Sequence, residues 1–304
     1  VQSMARVLFH IDINAFFASA EILKKPSLAG RPIAIGSVSR HGVLSTASYE
    51  ARDYGVHSAM PVYEALRLCP DLELVQPDFA YYRELSAKFF HYLYQYTNQI
   101  EPASIDECYM DVTEIIKAYK RPMDLAFQIQ NGVYKETGLH VSIGVAPTKF
   151  LAKMASDMRK PNGITILRKV ELSTKLWPLP IEDMVGIGKK TVPKLKKQGI
   201  MTIGDFASEE NENTVLSILG RSGYSLLLKA RGKSTNRLSY SNTRQSISLG
   251  KTYENDLYSM DEILSCVRLL TLELSEKMKR KNYKGKLVSL TLRDLDFHNI
   301  VRSQ

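Results

Sequence analysis

Three carboxylates in two distant stretches of the sequence are placed where they could bind divalent cations. Asp106 and Glu107 lie side by side between apolar residues, with Ile100 before them and Tyr109 after them. This alternation predicts two short strands that meet at the acid pair, so both carboxylates would lie at one end of a sheet. Far upstream, a run of strand-forming residues ends in a single acid, Asp12.

Carboxylates at buried strand ends need a partner, because their desolvation is costly unless a cation or several donors face them. Hard divalent cations prefer oxygen ligands, so three such groups on neighbouring strands form a suitable site. Each motif alone also has a simpler interpretation, since an Asp-Glu pair is often a solvated turn and a terminal Asp a cap. Taken together, the three acids favour a metal site.

The composition limits the classes of protein to consider. The chain has 304 residues, of which 44% are hydrophobic and 24% charged, so two to four domains with real cores are expected. The net charge of +9 favours a polyanionic partner. Cys69, Cys108 and Cys266 are too scattered for a disulfide framework or a zinc site, which predicts a reducing, intracellular compartment. Val1-Gln2-Ser3 precede Met4 and are interpreted as a cloning remnant.

The first half of the chain predicts an α+β fold of β-α-β-β-α-β order, the split βαβ arrangement of ferredoxin-like folds. We expect a small insertion at about 15–78, and Asp12 on a central strand beside the acid hairpin. The predicted elements are a strand from Val7 to Asp12, a helix from Asp78 through Asn98, a helix from Pro122 to Gly138, a strand from Val141 to Val145 and a helix opened by Pro147.

The second half predicts a helical region followed by a smaller mixed unit. Gly186-Ile187-Gly188 reads as a turn between two helices, and the stretch from Val185 to Met201 has five lysines and no acid. After a polar linker come a predicted strand, helix and strand, which would form a β-α-β unit that ends at Gln304. Since a lone β-α-β unit leaves an exposed edge, we expect it to be incomplete. Its elements are Gln245 to Tyr253, Met260 to Lys281 and Lys286 to Leu292.

Four stretches, in this order and spacing, resemble Y-family translesion DNA polymerases, especially the bacterial DNA polymerase IV type. They cover residues 10–18 (HIDINAFFA), 45–52 (STASYEAR), 104–107 (SIDE) and 156–163 (SDMRKPNG). The resemblance implies a ferredoxin-like palm with small inserted fingers, a helix-hairpin-helix thumb and an incomplete little finger. The implied boundaries are 4–14 and 79–169 for the palm, 15–78 for the fingers, 170–236 for the thumb, 237–244 for a linker and 245–304 for the little finger.

The resemblance also implies a role for each motif residue in two-metal nucleotidyl transfer. Asp12 and Asp106 would bridge two Mg²⁺ ions, which Mn²⁺ could replace, while Glu107 completes the first site and the carbonyl of Ile13 the second. The incoming nucleotide would be bound by Asn14, Ala15, Phe16, Phe17, Ser45, Thr46, Tyr49, Arg52 and Lys160. Arg offers phosphate a planar fork and Lys a point charge.

Two further assignments follow from the resemblance. Phe17 would be the steric gate that excludes ribose, although a core role for both Phe16 and Phe17 is the simpler interpretation of an aromatic pair. The residues expected to contact DNA are Gly186, Ile187, Gly188, Lys189, Lys190 and Lys251. The glycines would let backbone N–H groups approach a phosphate without reading sequence.

The implied protein is a template-directed DNA polymerase of low fidelity without a proofreading exonuclease, acting in the bacterial cytoplasm at the nucleoid. Its partners would be primer-template DNA, a dNTP and a sliding clamp that binds a region outside this chain, with no membrane. A non-catalytic DNA-binding scaffold is one alternative. A two-metal nucleotide cyclase is another, although the Gly-Gly expected before its acid pair is replaced here by Ala103-Ser104-Ile105.

Overall fold

The computed structural model describes residues 6–37, 39, 41–240 and 244–304. The residues interpreted as a cloning remnant, the first two residues of the predicted palm and residues 241–243 of the predicted linker lie outside these ranges. Within the described part of the chain, no helix is both long and apolar enough to cross a membrane.

The chain contains strands and helices in alternating groups. The strands are β1 (Leu8–Ile13), β2 (Ile33–Ile35), β3 (Thr46–Ala47), β4 (Glu73–Val75), β5 (Ile100–Pro102), β6 (Glu107–Asp111), β7 (Val141–Ala146), β8 (Ile164–Ile166), β9 (Ser289–Arg293) and β10 (Asn299–Ser303). The α-helices are α1 (Phe16–Lys24), α2 (Tyr49–Arg52), α3 (Val62–Leu68), α4 (Phe79–Tyr94), α5 (Pro122–Thr137), α6 (Lys149–Asp157), α7 (Val192–Lys196), α8 (Ile203–Ala207), α9 (Glu212–Leu219), α10 (Arg221–Ala230) and α11 (Met260–Arg280). Short 3-10 segments cover Pro26–Leu28, Ile115–Ala118, Lys169–Glu171 and Ile181–Asp183, and Leu172–Leu176 forms a π-helical turn.

A five-stranded sheet in the order β5-β6-β1-β7-β8 organises the first half of the chain. β1 lies at its centre and is antiparallel to both β6 and β7, while β7 and β8 are parallel. The elements β1, α4, β5, β6, α5 and β7 form the predicted β-α-β-β-α-β unit, so the ferredoxin-like prediction is confirmed. β8 extends that unit by one edge strand.

The central strand β1 is buried on both faces, and its alternating side chains have different surroundings. Phe9, Ile11 and Ile13 belong to the core formed with α4 and α5. His10 and Asp12 point to the opposite face, where both contact α6. Because side chains alternate along a strand, one face of β1 contributes to the core and the other face carries the Asp12 carboxylate.

Gly144 on β7 allows α6 to lie unusually close to the sheet. A Cβ at this position would come within 1.9 Å of the Ala152 carbonyl oxygen and 2.4 Å of the Ser156 nitrogen, both in the α6 backbone. Gly144 pairs with His10 of β1, so the close approach occurs directly beside the central strand.

We therefore expect Gly144→Ala to destabilise the protein by about 3 kcal/mol or more, because backbone atoms cannot yield as a flexible side chain does. Urea denaturation followed by circular dichroism measures this change in the free energy of unfolding. Gly250→Ala is the control, since a Cβ there meets nothing within 4 Å. An equally stable Gly144→Ala protein would contradict the close packing of α6.

Two predicted helix boundaries were wrong by a few residues. α4 begins as predicted, with the Asp78 side chain accepting from the Tyr81 N–H, but it ends at Tyr94 rather than Asn98. Its last turn tightens, because Gln95 and Tyr96 donate to carbonyls three residues back. α6 begins at Lys149 rather than Pro147, since the Thr148 hydroxyl caps its first turn by accepting from Leu151.

Residues 15–78 form a small unit with its own core and a three-stranded sheet in the order β3-β2-β4. A separate helical core extends from α6 through α10. There, the predicted turn at 186–188 is followed by α7 but preceded only by the 3-10 segment Ile181–Asp183. The turn therefore joins two helical segments as predicted, but the first is a short 3-10 segment, because Met184 is extended and ends it after three residues.

The C-terminal unit differs from the predicted β-α-β order. α11 is present, but the predicted strand from Gln245 to Tyr253 has no strand structure. β9 pairs instead with β10, which sequence analysis did not assign. A hairpin closes only a short loop, whereas pairing with residues 245–253 closes a much longer one, so the local partner costs less conformational entropy.

Candidate active site

The pairing of β1 with β6 brings the three predicted acids together. Asp12 and Glu107 are direct cross-strand partners. Asp106 immediately precedes β6, and its carbonyl accepts a 3.0 Å hydrogen bond from the N–H of Ile13. Acids more than ninety positions apart in the sequence therefore share one end of the sheet.

Two lysines neutralise part of this negative charge. Lys153 Nζ lies 3.0 Å from Asp12 Oδ2 and 2.8 Å from Glu107 Oε2. Lys160 Nζ lies 2.9 Å from the same Asp12 oxygen and 2.7 Å from Asp157. Burial by itself would lower the pKa of Lys153, but the nearby carboxylates outweigh burial and raise it. The carboxylates of Asp12 and Asp157 likewise outweigh burial and raise the pKa of Lys160, so both lysines are charged at neutral pH.

Glu107 and Asp106 have opposite electrostatic surroundings. The pKa of Glu107 is held well below its usual range, first by its contact with His10 and then by Lys153. The pKa of Asp106 is raised, first by burial and then by the charges of Asp12 and Glu107, although the Ser104 hydroxyl partly opposes this. A divalent cation at these oxygens would relieve that repulsion, so the donor set fits hard ions such as Mg²⁺.

His10 is a member of this cluster that sequence analysis missed. One potential ligand atom from each of His10, Asp12 and Glu107 lies within 4.8 Å of the other two, whereas Asp106 is outside that set. The signal was available in the sequence, because His10 precedes Asp12 by two residues and so lies on the same face of β1.

A cavity of about 250 Å³ adjoins the acids. Its wall contains most of the residues predicted to bind a nucleotide, together with Ser58, which was not predicted. The lining residues are Asp12, Ile13, Ala15, Phe16, Phe17, Ser45, Thr46, Tyr49, Arg52, Ser58, Asp106 and Lys160. Asn14 is not among them, since its buried side chain is bonded to the Ser142 hydroxyl at 2.8 Å and to Asn162 at 2.7 Å.

Tyr49 and Arg52 form one side of this cavity. The Arg52 guanidinium lies 4.9 Å from the centre of the Tyr49 ring, and its Nε donates to the Ala47 carbonyl at 3.0 Å. The buried Tyr49 hydroxyl has no hydrogen-bond partner among the described residues. Together with Lys160, these groups present several donors to an anion in the cavity.

The two adjacent phenylalanines have different surroundings. Phe16 is 3% exposed and belongs to the main core. The Phe17 ring is only partly buried and stacks on Tyr82, with ring centres 4.4 Å apart and planes 14° apart. Phe79 contacts the edge of this stack. Phe17 therefore lines the cavity while Tyr82 packs against its ring, consistent with the expected divergence of neighbouring helical side chains.

The predicted DNA-contacting turn contacts the 15–78 unit through Lys189. Gly186 has a φ of 96°, a backbone conformation that residues with a side chain rarely adopt. Ile187 is buried in the helical core. Lys189 and Lys190 are exposed, and Lys189 Nζ lies 3.4 Å from His57 Nε2. Lys251 is exposed in the C-terminal unit, where its ammonium lies 5.2 Å from the Tyr253 ring.

Comparison with known families gives three matches along the chain. Residues 11–157 match the impB/mucB/samB family, and residues 244–304 match the C-terminal domain of the same family. Residues 169–200, which include the glycine turn, match the HHH motif of the IMS family.

Curated relatives and solved structures agree with these matches. DNA polymerase IV of Bacillus velezensis is 45% identical over 98% of this chain and 72% of its own length. DNA polymerase IV of Neisseria meningitidis is 39% identical over 98% of this chain and 93% of its own length. A Y-family DNA polymerase chimera of Dbh and Dpo4 superimposes with a TM-score of 0.83 and 27% identity, covering 98% of this chain and 87% of its own. A ternary complex of Dbh superimposes with a TM-score of 0.70 over the same shares, at 26% identity.

Proposed function

Because this chain belongs to the impB/mucB/samB family of Y-family DNA polymerases, we propose that Asp12, Asp106 and Glu107 carry its nucleotidyl-transfer reaction. The protein is a translesion DNA polymerase of the DNA polymerase IV type. The observation that supports this assignment is the β1–β6 register, which brings three carboxylates together beside a cavity lined by Tyr49, Arg52 and Lys160.

The residues at the site divide between the cations and the nucleotide. Two divalent cations, held by the three carboxylates and the carbonyl of Ile13, would activate the primer 3′-hydroxyl and neutralise charge on the triphosphate. Mg²⁺ suits these oxygen ligands, and Mn²⁺ would substitute. Arg52, Lys160 and the Tyr49 hydroxyl bind the phosphate oxygens, while the rigid sheet keeps the acids in place.

Magnesium-dependent primer extension tests this proposal and separates it from two alternatives. The protein should lengthen a primer on a template when Mg²⁺ and dNTPs are supplied, and a chelator should stop the reaction. A DNA-binding scaffold would bind the same DNA without extending it. A nucleotide cyclase would convert a nucleoside triphosphate without any template, and either result would overturn the proposal.

We also propose a division of the chain into polymerase domains. Residues 4–14 and 79–169 are the palm, 15–78 the fingers, 170–236 the thumb, and 245–304 the little finger after a linker at 237–244. Separate hydrophobic cores in the sheet unit, the 15–78 unit and the helical unit support this division.

The glycine turn of the thumb is proposed to bind the DNA backbone through Lys189 and Lys190. Replacing both with Ala should reduce the slope of log K against log salt by about two, because each lost phosphate contact removes about 0.9. Fluorescence anisotropy of labelled primer-template DNA at several salt concentrations measures this slope. The loss should be the same for unrelated DNA sequences.

The control replaces Lys88 and Lys135, two exposed lysines on α4 and α5, with Ala. These helices cover the face of the sheet opposite the acids, so the net charge changes equally without altering the proposed contact. If both double variants keep the wild-type slope, the DNA backbone does not pass over the glycine turn.

A further inference from the structure

His10 is a buried polar side chain on the central strand of the five-stranded sheet, and the proposed mechanism does not use it. It is 0% exposed and lies on β1 between two core residues, Phe9 and Ile11. The Tyr109 ring of β6 covers one side of the imidazole, with ring centres 4.9 Å apart. A histidine in such a place costs desolvation unless both ring nitrogens find partners.

One ring nitrogen is bonded to helix α6. His10 Nδ1 lies 2.8 Å from the hydroxyl of Ser156, which is 1% exposed and 146 positions away in the sequence. The close approach of α6 over Gly144 makes this contact possible, because Gly144 pairs with His10 and would contact the Ser156 backbone if it had a side chain. The imidazole is therefore anchored in a fixed orientation.

The other ring nitrogen faces the acid cluster. His10 Nε2 lies 3.4 Å from Glu107 Oε2 and has no hydrogen bond of good geometry among the described residues. The Ser156 hydroxyl lies 2.8 Å from Nδ1 and 2.7 Å from the Lys153 carbonyl oxygen, and it has one proton to donate. When it donates to Nδ1, the N–H of the neutral ring is at Nε2 and points to the Glu107 carboxylate. A small rotation of the Glu107 carboxylate would close the gap to hydrogen-bond length, and such contacts commonly tighten when a site is loaded.

From this geometry we propose that His10, anchored by Ser156, is a positioning residue that orients the Glu107 carboxylate for a divalent cation. This inference rests on the proposed role of Glu107 in holding that cation. Hydrogen-bond partners behind ligating carboxylates generally restrict their orientation, and losing one weakens metal binding about 10- to 100-fold. The partner here comes from the strand carrying Asp12, so one strand supplies a ligand and the support for a second ligand.

Direct ligation by His10 is the alternative role, because one of its potential ligand atoms lies within 4.8 Å of those of Asp12 and Glu107. The bond between Nδ1 and Ser156 suits either role, since ligating histidines are usually held through their other ring nitrogen. The ring is fully buried beside Tyr109, whereas Glu107 is half-buried at the start of β6. The two roles predict different Mn²⁺ affinities when His10 is replaced.

Two substitutions at position 10 separate the hydrogen bond from the packing. His10→Phe keeps a planar ring but loses both nitrogens, whereas His10→Gln keeps an amide N–H near the place of Nε2. The measurement is Mn²⁺ binding to the protein on primer-template DNA, followed by the electron paramagnetic resonance signal of free Mn²⁺. We expect His10→Phe to weaken binding about 10- to 100-fold and His10→Gln to recover most of the loss.

Ser156→Ala removes the anchor without changing the imidazole and should weaken Mn²⁺ binding to an intermediate extent. Thr165→Val is the matched control, because Thr165 is buried and its hydroxyl, unlike that of Ser156, has no partner among the described residues. It pairs with Gly144 in the same row of the sheet but lies two strands from His10. Its Mn²⁺ affinity should equal that of the wild type.

Three results would overturn the inference. The first is wild-type Mn²⁺ affinity in a folded His10→Phe protein. The second is wild-type Mn²⁺ affinity in Ser156→Ala, and this test remains valid even if His10→Phe fails to fold. The third is a loss in His10→Gln as large as in Asp12→Ala, which would make His10 a direct ligand. If Mn²⁺ binding changes as expected but wild-type protein extends no primer, the polymerase assignment fails and the positioning role stands.

Discussion

Replacing Asp106 with Ala is expected to abolish primer extension while leaving DNA affinity nearly unchanged. The carboxylate is proposed to hold both cations, so its loss should remove several kcal/mol of transition-state stabilisation, a rate decrease of at least about a thousandfold. DNA contacts are proposed to come from other residues, in the thumb and little finger. Single-turnover extension and fluorescence anisotropy measure the two quantities.

Protein stability provides an internal control for this variant. The pKa of Asp106 is raised by burial and by neighbouring acids, so its charge opposes folding. Asp106→Asn should therefore be at least as stable as wild type, yet inactive. Glu136→Gln, an exposed change of the same charge on α5, should retain full activity. An Asp106→Ala enzyme with near wild-type rate would make the carboxylate assignment wrong.

Replacing Phe17 with Ala is expected to raise ribonucleotide incorporation by roughly ten- to a hundredfold while deoxynucleotide incorporation changes much less. The ring lines the cavity and is held by its stack on Tyr82, so it cannot easily yield to a 2′-hydroxyl. A ribose would then meet an apolar surface with no hydrogen-bond partner in return. The ratio of kcat/KM for matched dNTP and rNTP pairs measures the effect.

Phe16→Ala is the contrasting variant on the same helix. Phe16 is buried in the main core, so its truncation should cost about 3–5 kcal/mol of stability, with little change in sugar selectivity. Unfolding measurements and the same kcat/KM ratio distinguish the two rings. If Phe17→Ala selects against ribonucleotides as strongly as wild type does, another residue excludes the ribose.

Sequence reasoning succeeded where the signal was local. Alternation placed Asp12 at the end of β1 and the acid pair at the start of β6, and the β-α-β-β-α-β order brought them together. The predicted helix boundaries were less accurate. Capping by Thr148 moved the start of α6, and tightening of the last turn moved the end of α4. Sequence reasoning was wrong for residues 245–253, because a pattern of alternation does not say which strand will be the partner.

The amino-acid sequence by itself determined which residue types meet at the end of the five-stranded sheet, since side-chain period and element order are properties of short stretches. Only the tertiary structure decided what surrounds the acids. Lys153 and Lys160 reach Asp12 across more than 140 positions, and Ser156 reaches His10 across 146. Those contacts depend on how closely α6 lies on the sheet, which the missing Cβ of Gly144 permits. Such a distance is set by packing between elements, and no pattern within either element encodes it.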